Sequence, residues 1–418
     1  MEIYRDKVTG YEAKRYTNGP ERNSKLYFTC ENFSADDRYF FFTKQELEGK
    51  KDSGCYRAEV ATGNIELIAD SNYRGFATDR EKNIGYVCKN DTEVYSVDLT
   101  TKEMRKIGDL PKFGNITGHL TAANTGRVAC SYHLGNKLYA LVILDPGKEA
   151  EIVYQTDICL GHAQICPTDE NLIFYIHETG GDAFQRTWMY DVKERYARPY
   201  YVEHPNEWIT HEVWASDGSE MALMKLDPAG FVDGSAGQTH TGNIIIGDKD
   251  GRHFDIAASS LQLLHPCISR DKKWLCADRI SYLGTKVQEG VVLIERATGK
   301  VKLIATTNGC KTGSDHQHPS FNRAGTQILF SNPDENGIAQ VCVIDLDQVK
   351  RTGSQRAQNE QGCAWKRQTL RRSPILFFIV PYSCALSQSM HCFASVRPSG
   401  FKLSLSTIKS LPLSLAQL

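Results

Sequence analysis

The sequence predicts an all-β fold, a seven-bladed β-propeller closed by its own N-terminus, and three observations carry the prediction. A strand–turn–strand unit recurs seven times, its spacing suits a four-stranded blade, and the N-terminal segment supplies a strand that the seventh unit lacks. The turn of each unit reads SADDRYFFF at 34, ATDREKNIGYV at 77, AANTGRVACSY at 122, PTDENLIFYI at 167, ASDGSEMALM at 215, SRDKKWLCAD at 269 and NRAGTQILFS at 322. With Asp36, Asp79, Thr125, Asp169, Asp217, Asp271 and Ala324 as equivalent points, the intervals are 43, 46, 44, 48, 54 and 53 residues. A four-stranded blade needs about 40 to 50 residues, so blades five and six carry the longer loops.

Within each unit the apolar run after the turn is the second strand. The third reads GCYRAEV, EVYSVDL, KLYALVIL, RTWMYDV, GNIIIGD, GVVLIER and AQVCVIDL in chain order. Six units add a fourth strand, such as NIELIAD, EAEIVYQ and KVKLIAT, but Asp345-Leu346-Asp347 is followed by polar sequence. The N-terminal DKVTGYEAKRYTN resembles EVATGNIELIAD with its first strand missing, so residues 11–18 are expected to complete the last blade and leave no open edge at the joint. An open stack of sandwich-like sheets is the competing architecture.

Composition sets further bounds. A chain of 418 residues with 41% hydrophobic positions can bury a large core, and a net charge of -1 offers no cationic excess for nucleic acid. The opening MEIYRDKVTGYEAKRY has no signal-peptide core, and no run of about 18 apolar residues occurs, so a cytoplasmic protein without membrane attachment is expected. Thirteen cysteines, with no CxxC pair, read as buried free thiols. Residues 1–350 make up the expected propeller. Residues 351–418 form a separate tail, with no Asp or Glu from Gly362 to Leu418; its ILFFIVPYSCAL is too short to span a bilayer, and the tail is expected to be disordered or mistranslated.

Six residues before the equivalent points stand Cys30, Tyr73, His119, Ala163, His211, His265 and His318, with His162 one place off and His316 two places before His318. Equivalent positions lie on a circle about the propeller axis, so these histidines are expected to converge where the chain enters the innermost strands, at one mouth of the central channel. Four of only twelve histidines share that phase, which points to a functional cluster; a polar plug binding channel water is the alternative. In GSDHQHPSF, residues 313–321, His316 and His318 stand at i and i+2, a spacing that in a strand puts both rings on one face.

Five stretches together resemble the oligogalacturonate lyases, a polysaccharide-lyase family of seven-bladed propellers: GHAQICP at 161, IHETGGDAFQRTWMYD at 176, THEVWASDGS at 210, LLHPCISRDKKWLCADR at 263 and HQHPSF at 316. The resemblance covers about residues 1–349. It implies β-elimination on short oligogalacturonides, digalacturonate and its unsaturated form, in pectin breakdown. It also implies His265, His316 and His318 as ligands of a manganese-like divalent ion, His211 as Brønsted base, and Arg186 beside the base or on a substrate carboxylate. The family's glutamine ligand falls at Gly313 here, which leaves the shell to Gln164, His162 or water and brings zinc into contention with manganese. His177 and Glu178 match the family's HE pair and are expected to support the site by hydrogen bonds, while His119 has either an outer-subsite or a structural role. His133, His204, His240 and His253 read as solvated. A non-catalytic TolB-like propeller that binds a sugar or peptide at the same mouth is the alternative function.

Overall fold

The computed structural model describes residues 1–350 except 47–52, 179–182, 206, 227–241, 261, 282–286 and 310–315. Gly313, His240 and the tail from 351, with the expectations attached to them, lie outside the described residues. Met1–Arg351 forms one compact unit.

Seven antiparallel sheets make the seven blades. Blade four is representative, running Leu160–Cys166, Asp169–His177, Thr187–Asp191 and Tyr196–Pro199 from its inner to its outer strand. The short strand lengths follow from turn residues that recur every few positions, and the alternation within each strand sends successive side chains to opposite faces. Both faces of the middle strands are covered by neighbouring blades, so their sequences are nearly continuously apolar. Phe41 of blade one packs with Phe76, Val87 and Val97 of blade two, whereas Phe40 and Phe42 turn toward Leu329, Val341 and Val343 of blade seven.

Seven hydrophobic clusters of this kind each join one pair of adjacent blades, and the pairs run through blades one to seven and back to one. The ring is therefore held by burial between blades, at roughly 1.5–3 kcal/mol for each large apolar side chain removed from water. The N-terminus closes it as expected: Ala13, Lys14 and Arg15 pair with Ile344, Val343 and Cys342. One feature exceeds the expectation. Glu2–Arg5 adds a fifth, outermost strand to blade seven, pairing Glu2 with Arg15 and Arg5 with Glu12. Its alternating EIYR pattern is too short to register as a strand alone, and it forms because Glu12–Arg15 presents an edge beside it.

All nine described cysteines are free thiols, six of them buried, as the sequence suggested. Among the described residues no helix is long and apolar enough to cross a membrane.

Candidate active site at the channel mouth

The histidines reach one another because of a repeated backbone irregularity. In the inner strands of blades four, five and six the ladder register shifts between Gly161 and Gln164, between Thr210 and Val213, and between Leu264 and Cys267. At each bulge stands a histidine with a left-handed backbone: His162 at φ 47°, His211 at 53° and His265 at 40°; His318 does the same at 44° just before the inner strand of blade seven. The bulge, rather than the strand entrance expected from the repeat phase, sets the position. A β-bulge inserts an extra residue and re-aims its side chain, and its left-handed position normally takes glycine. Holding an L-residue there costs about 1–2 kcal/mol, strain of the kind that gathers at functional sites. The one-place offset of His162 in the repeat is thus absorbed by the bulge.

His265, His316 and His318 bring one ring nitrogen each to within 4.8 Å of one another. The ring centres of His265 and His318 lie 4.2 Å apart, and those of His211 and His265 lie 4.1 Å apart. Behind the cluster sits Asp278, fully buried on the second strand of blade six. Its two oxygens contact Nδ1 of His265 at 3.0 and 2.9 Å, and its Oδ2 accepts the backbone N–H of His318 at 3.1 Å. One carboxylate therefore fixes two of the three histidines and leaves Nε2 of His265 facing its neighbours, an arrangement that orients metal-ligating imidazoles. Three convergent imidazoles with a buried carboxyl group behind them fit a divalent transition-metal ion.

Burial, followed by the neighbouring rings, holds His211, His265 and His318 well below the ordinary imidazole range, so these rings are neutral at neutral pH. Neutral imidazole is the form that binds a metal or accepts a proton. Burial also pushes Asp278 up to about 7. Nδ1 of His211 is buried without a hydrogen-bond partner among the described residues, which leaves Nε2 as the atom able to meet a ligand.

Blade four contributes a second group. Arg186, almost fully buried, directs its two terminal nitrogens to Glu178 at 3.4 Å each, with its guanidinium 5.9 Å from the Trp208 ring centre. His162 lies between two acids, its Nδ1 2.8 Å from Glu212 Oε2 and its Nε2 3.8 Å from Glu178 Oε2. Gln164 is buried beneath, donating to the Glu212 carbonyl at 2.7 Å, and His162, held by Glu212, is not one of the three histidines whose nitrogens gather as a possible ion site among the described residues. His177 points away from this group and packs at 5.0 Å on Trp188, because it and Glu178 occupy opposite faces of the chain. His119 bonds Thr29 Oγ1 at 3.1 Å, and burial lowers it to about 4. His204 and His253 are exposed as expected, whereas His133 is half-buried, stacked on Tyr139 at 4.8 Å.

Sequence reasoning missed four residues. Tyr27 and Phe28, in the excursion after the inner strand Arg22–Lys25, floor the mouth: Tyr27 lies 5.0 Å from His318 and 5.3 Å from His119, and Phe28 lies 5.2 Å from His265. Asp278 and Glu212 were visible only as the acid of CADR and the neighbour of His211. A search for acids on the strands flanking each histidine would have found them.

The fold and the site define a seven-bladed propeller with a histidine cluster at one mouth of its channel. In sequence the chain is 25% identical over 386 residues to the oligogalacturonide lyase of Pectobacterium atrosepticum, covering 79% of this chain and 92% of that protein. It is 24% identical over 249 residues to the oligogalacturonate lyase of Dickeya dadantii, covering 53% and 62%. An oligogalacturonate lyase solved in complex with manganese shares the fold at a TM-score of 0.71 and 18% identity, over 82% of this chain and 95% of that one. The oligogalacturonate lyase of Vibrio parahaemolyticus does so at 0.72 and 18%, over 82% and 96%. No protein-family profile matches the chain. The resemblance to oligogalacturonate lyases read from the motifs thus holds over most of the chain.

Proposed function

We propose that this protein is a divalent-metal-dependent lyase that cleaves short oligogalacturonides, digalacturonate and its 4,5-unsaturated counterpart, by β-elimination during cytoplasmic pectin breakdown. The observation that carries the reading is the neutral His211 packed 4.1 Å from His265, a member of the three-histidine cluster. An ion held by His265, His316 and His318, manganese by analogy with the solved relative and zinc as the competitor, would neutralise the uronate carboxylate and make the C5 proton removable. His211 takes that proton at Nε2. The C–H electron pair becomes the C4–C5 double bond and the glycosidic oxygen departs from C4. Arg186 lines the same mouth, and its fork suits a second carboxylate of the substrate when Glu178 yields it.

The test is incubation of chelator-stripped protein with digalacturonate, with and without added manganese or zinc, following absorbance of the unsaturated product. Product that depends on added metal is expected. Binding of digalacturonate without product under every metal condition would favour the non-catalytic, TolB-like reading. In His211→Asn, which tolerates the left-handed backbone, turnover should fall by about 10² to 10⁴ while metal content stays at the wild-type level. Loss of metal together with activity would remove His211 from the role of base.

A further inference from the structure

We infer that His162, held by Glu212, is a second catalytic residue that delivers a proton to the departing C4 oxygen. The inference rests on the lyase reading above. In a galacturonate ring the C5 hydrogen and the C4 oxygen project from opposite faces, so the base that removes the first cannot return the same proton to the second. An unassisted sugar alkoxide is a poor leaving group, and a separate proton donor is required.

The mouth offers few groups for that task. His265, His316 and His318 gather as the ion site, Nε2 of His119 is engaged by Thr29, and both terminal nitrogens of Arg186 face Glu178. Tyr27 carries a transferable proton, but burial pushes its phenol far up, and the phenolate left behind would be strongly disfavoured. His162 differs from all of these. Its Nδ1 is tied at 2.8 Å to Glu212, whose carboxyl group is fully buried and whose other oxygen has no hydrogen-bond partner among the described residues. The proton on Nδ1 is thereby fixed, and Nε2 becomes the exchanging atom on a side chain that is 24% exposed. The ring lies between the carboxyl groups of Glu212 and Glu178, at 2.8 and 3.8 Å. The bulge that re-aims His211 in blade five has its counterpart at His162 in blade four, so the two rings enter the mouth from adjacent blades.

The step balances. The C5 proton passes to Nε2 of His211, and the C–H pair forms the C4–C5 π bond. The C4–O bond breaks with its pair on oxygen, and that oxygen takes the proton from Nε2 of His162. The cationic His211 and neutral His162 reset by exchange with water.

The experiment compares two substrates in wild type, His162→Asn, Glu212→Gln and His211→Asn: digalacturonate, and a galacturonide bearing 2,4-dinitrophenolate at C4, which leaves without a proton. In His162→Asn, kcat on digalacturonate should fall by about 10² to 10⁴, and on the aryl substrate by less than about tenfold. Glu212→Gln should show the same substrate-dependent pattern in milder form, with KM held, as a positioning residue would. In His211→Asn both substrates should lose equally, and bound metal should match wild type in every variant, which also reports that the site has folded. Equal losses on the two substrates in His162→Asn, or undiminished turnover of digalacturonate, would overturn the inference with the lyase reading intact. A wild type that eliminates neither substrate would instead overturn the lyase reading, and this inference with it.

Discussion

Blades two and three and blades four to seven meet the same geometric demand in opposite ways. Blade two also shifts register in its inner strand, between Arg74 and Ala77, and its left-handed residue is Gly75; the inner strand of blade three is broken around Gly118, left-handed as well. There glycine relaxes the turn. In blades four to seven the same backbone state is held by His162, His211, His265 and His318. A left-handed residue at the inner strand therefore recurs in blades two to seven, as glycine in the first two and as histidine in the four that present a ring to the mouth. Blade one solves the problem differently, sending Tyr27 and Phe28 across the floor.

The largest effect is expected at His265. His265→Ala removes the hydrogen-bond partner of a buried carboxyl group, for which the expected destabilisation is about 1.5–3 kcal/mol by chemical denaturation. Bound metal should be lost as well. His119→Ala, at the same repeat phase in blade three, should cost only about 1 kcal/mol, the value of its hydrogen bond to Thr29, and leave metal content unchanged. Equal effects at the two positions would show that the two sides of the ring are not functionally distinct.

Acid should weaken the histidine side next. Buried imidazoles with lowered pKa bind fewer protons folded than unfolded, so their stabilisation is present above about 6.5 and lost as pH falls through their folded values, about 4 for His119. Asp278, raised to about 7, works the other way between about pH 4 and 7, because the folded state keeps its proton longer. Four imidazoles against one carboxyl predict a net fall in the urea midpoint of metal-free protein from pH 7 to 5. A midpoint that rises over that interval would mean the carboxyl dominates.

Smaller effects sharpen the glycine side. Gly75→Ala should destabilise by about 1–2 kcal/mol, since its φ is 69° and an added Cβ would meet the Leu120 nitrogen at 3.4 Å. Gly118→Asn, exposed and with no atom within 4 Å of the added Cβ, should destabilise by about 1 kcal/mol, the backbone strain of an L-residue at φ 97° with no clash added. A large loss there would show that blade three needs its glycine for more than backbone freedom.

What the sequence determined by itself follows from periodicity. Seven turns at near-constant intervals imply seven sheets, the incomplete seventh unit implies closure by residues 11–18, and four histidines at one phase imply convergence on one mouth. These are regularities between equivalent positions, and any folded form of the repeat preserves them. The tertiary structure alone decided which acid holds which imidazole. Glu212 reaches His162 from 50 residues away and Asp278 bridges His265 and His318, contacts that depend on the distance between blades. It also decided that Glu178 faces the mouth while His177 leaves it, and that Tyr27 and Phe28 floor the site. The left-handed turns at the histidines were equally hidden, because histidine enters that region only now and then and its sequence does not say where; at His162, His211 and His265 the bulge imposes it.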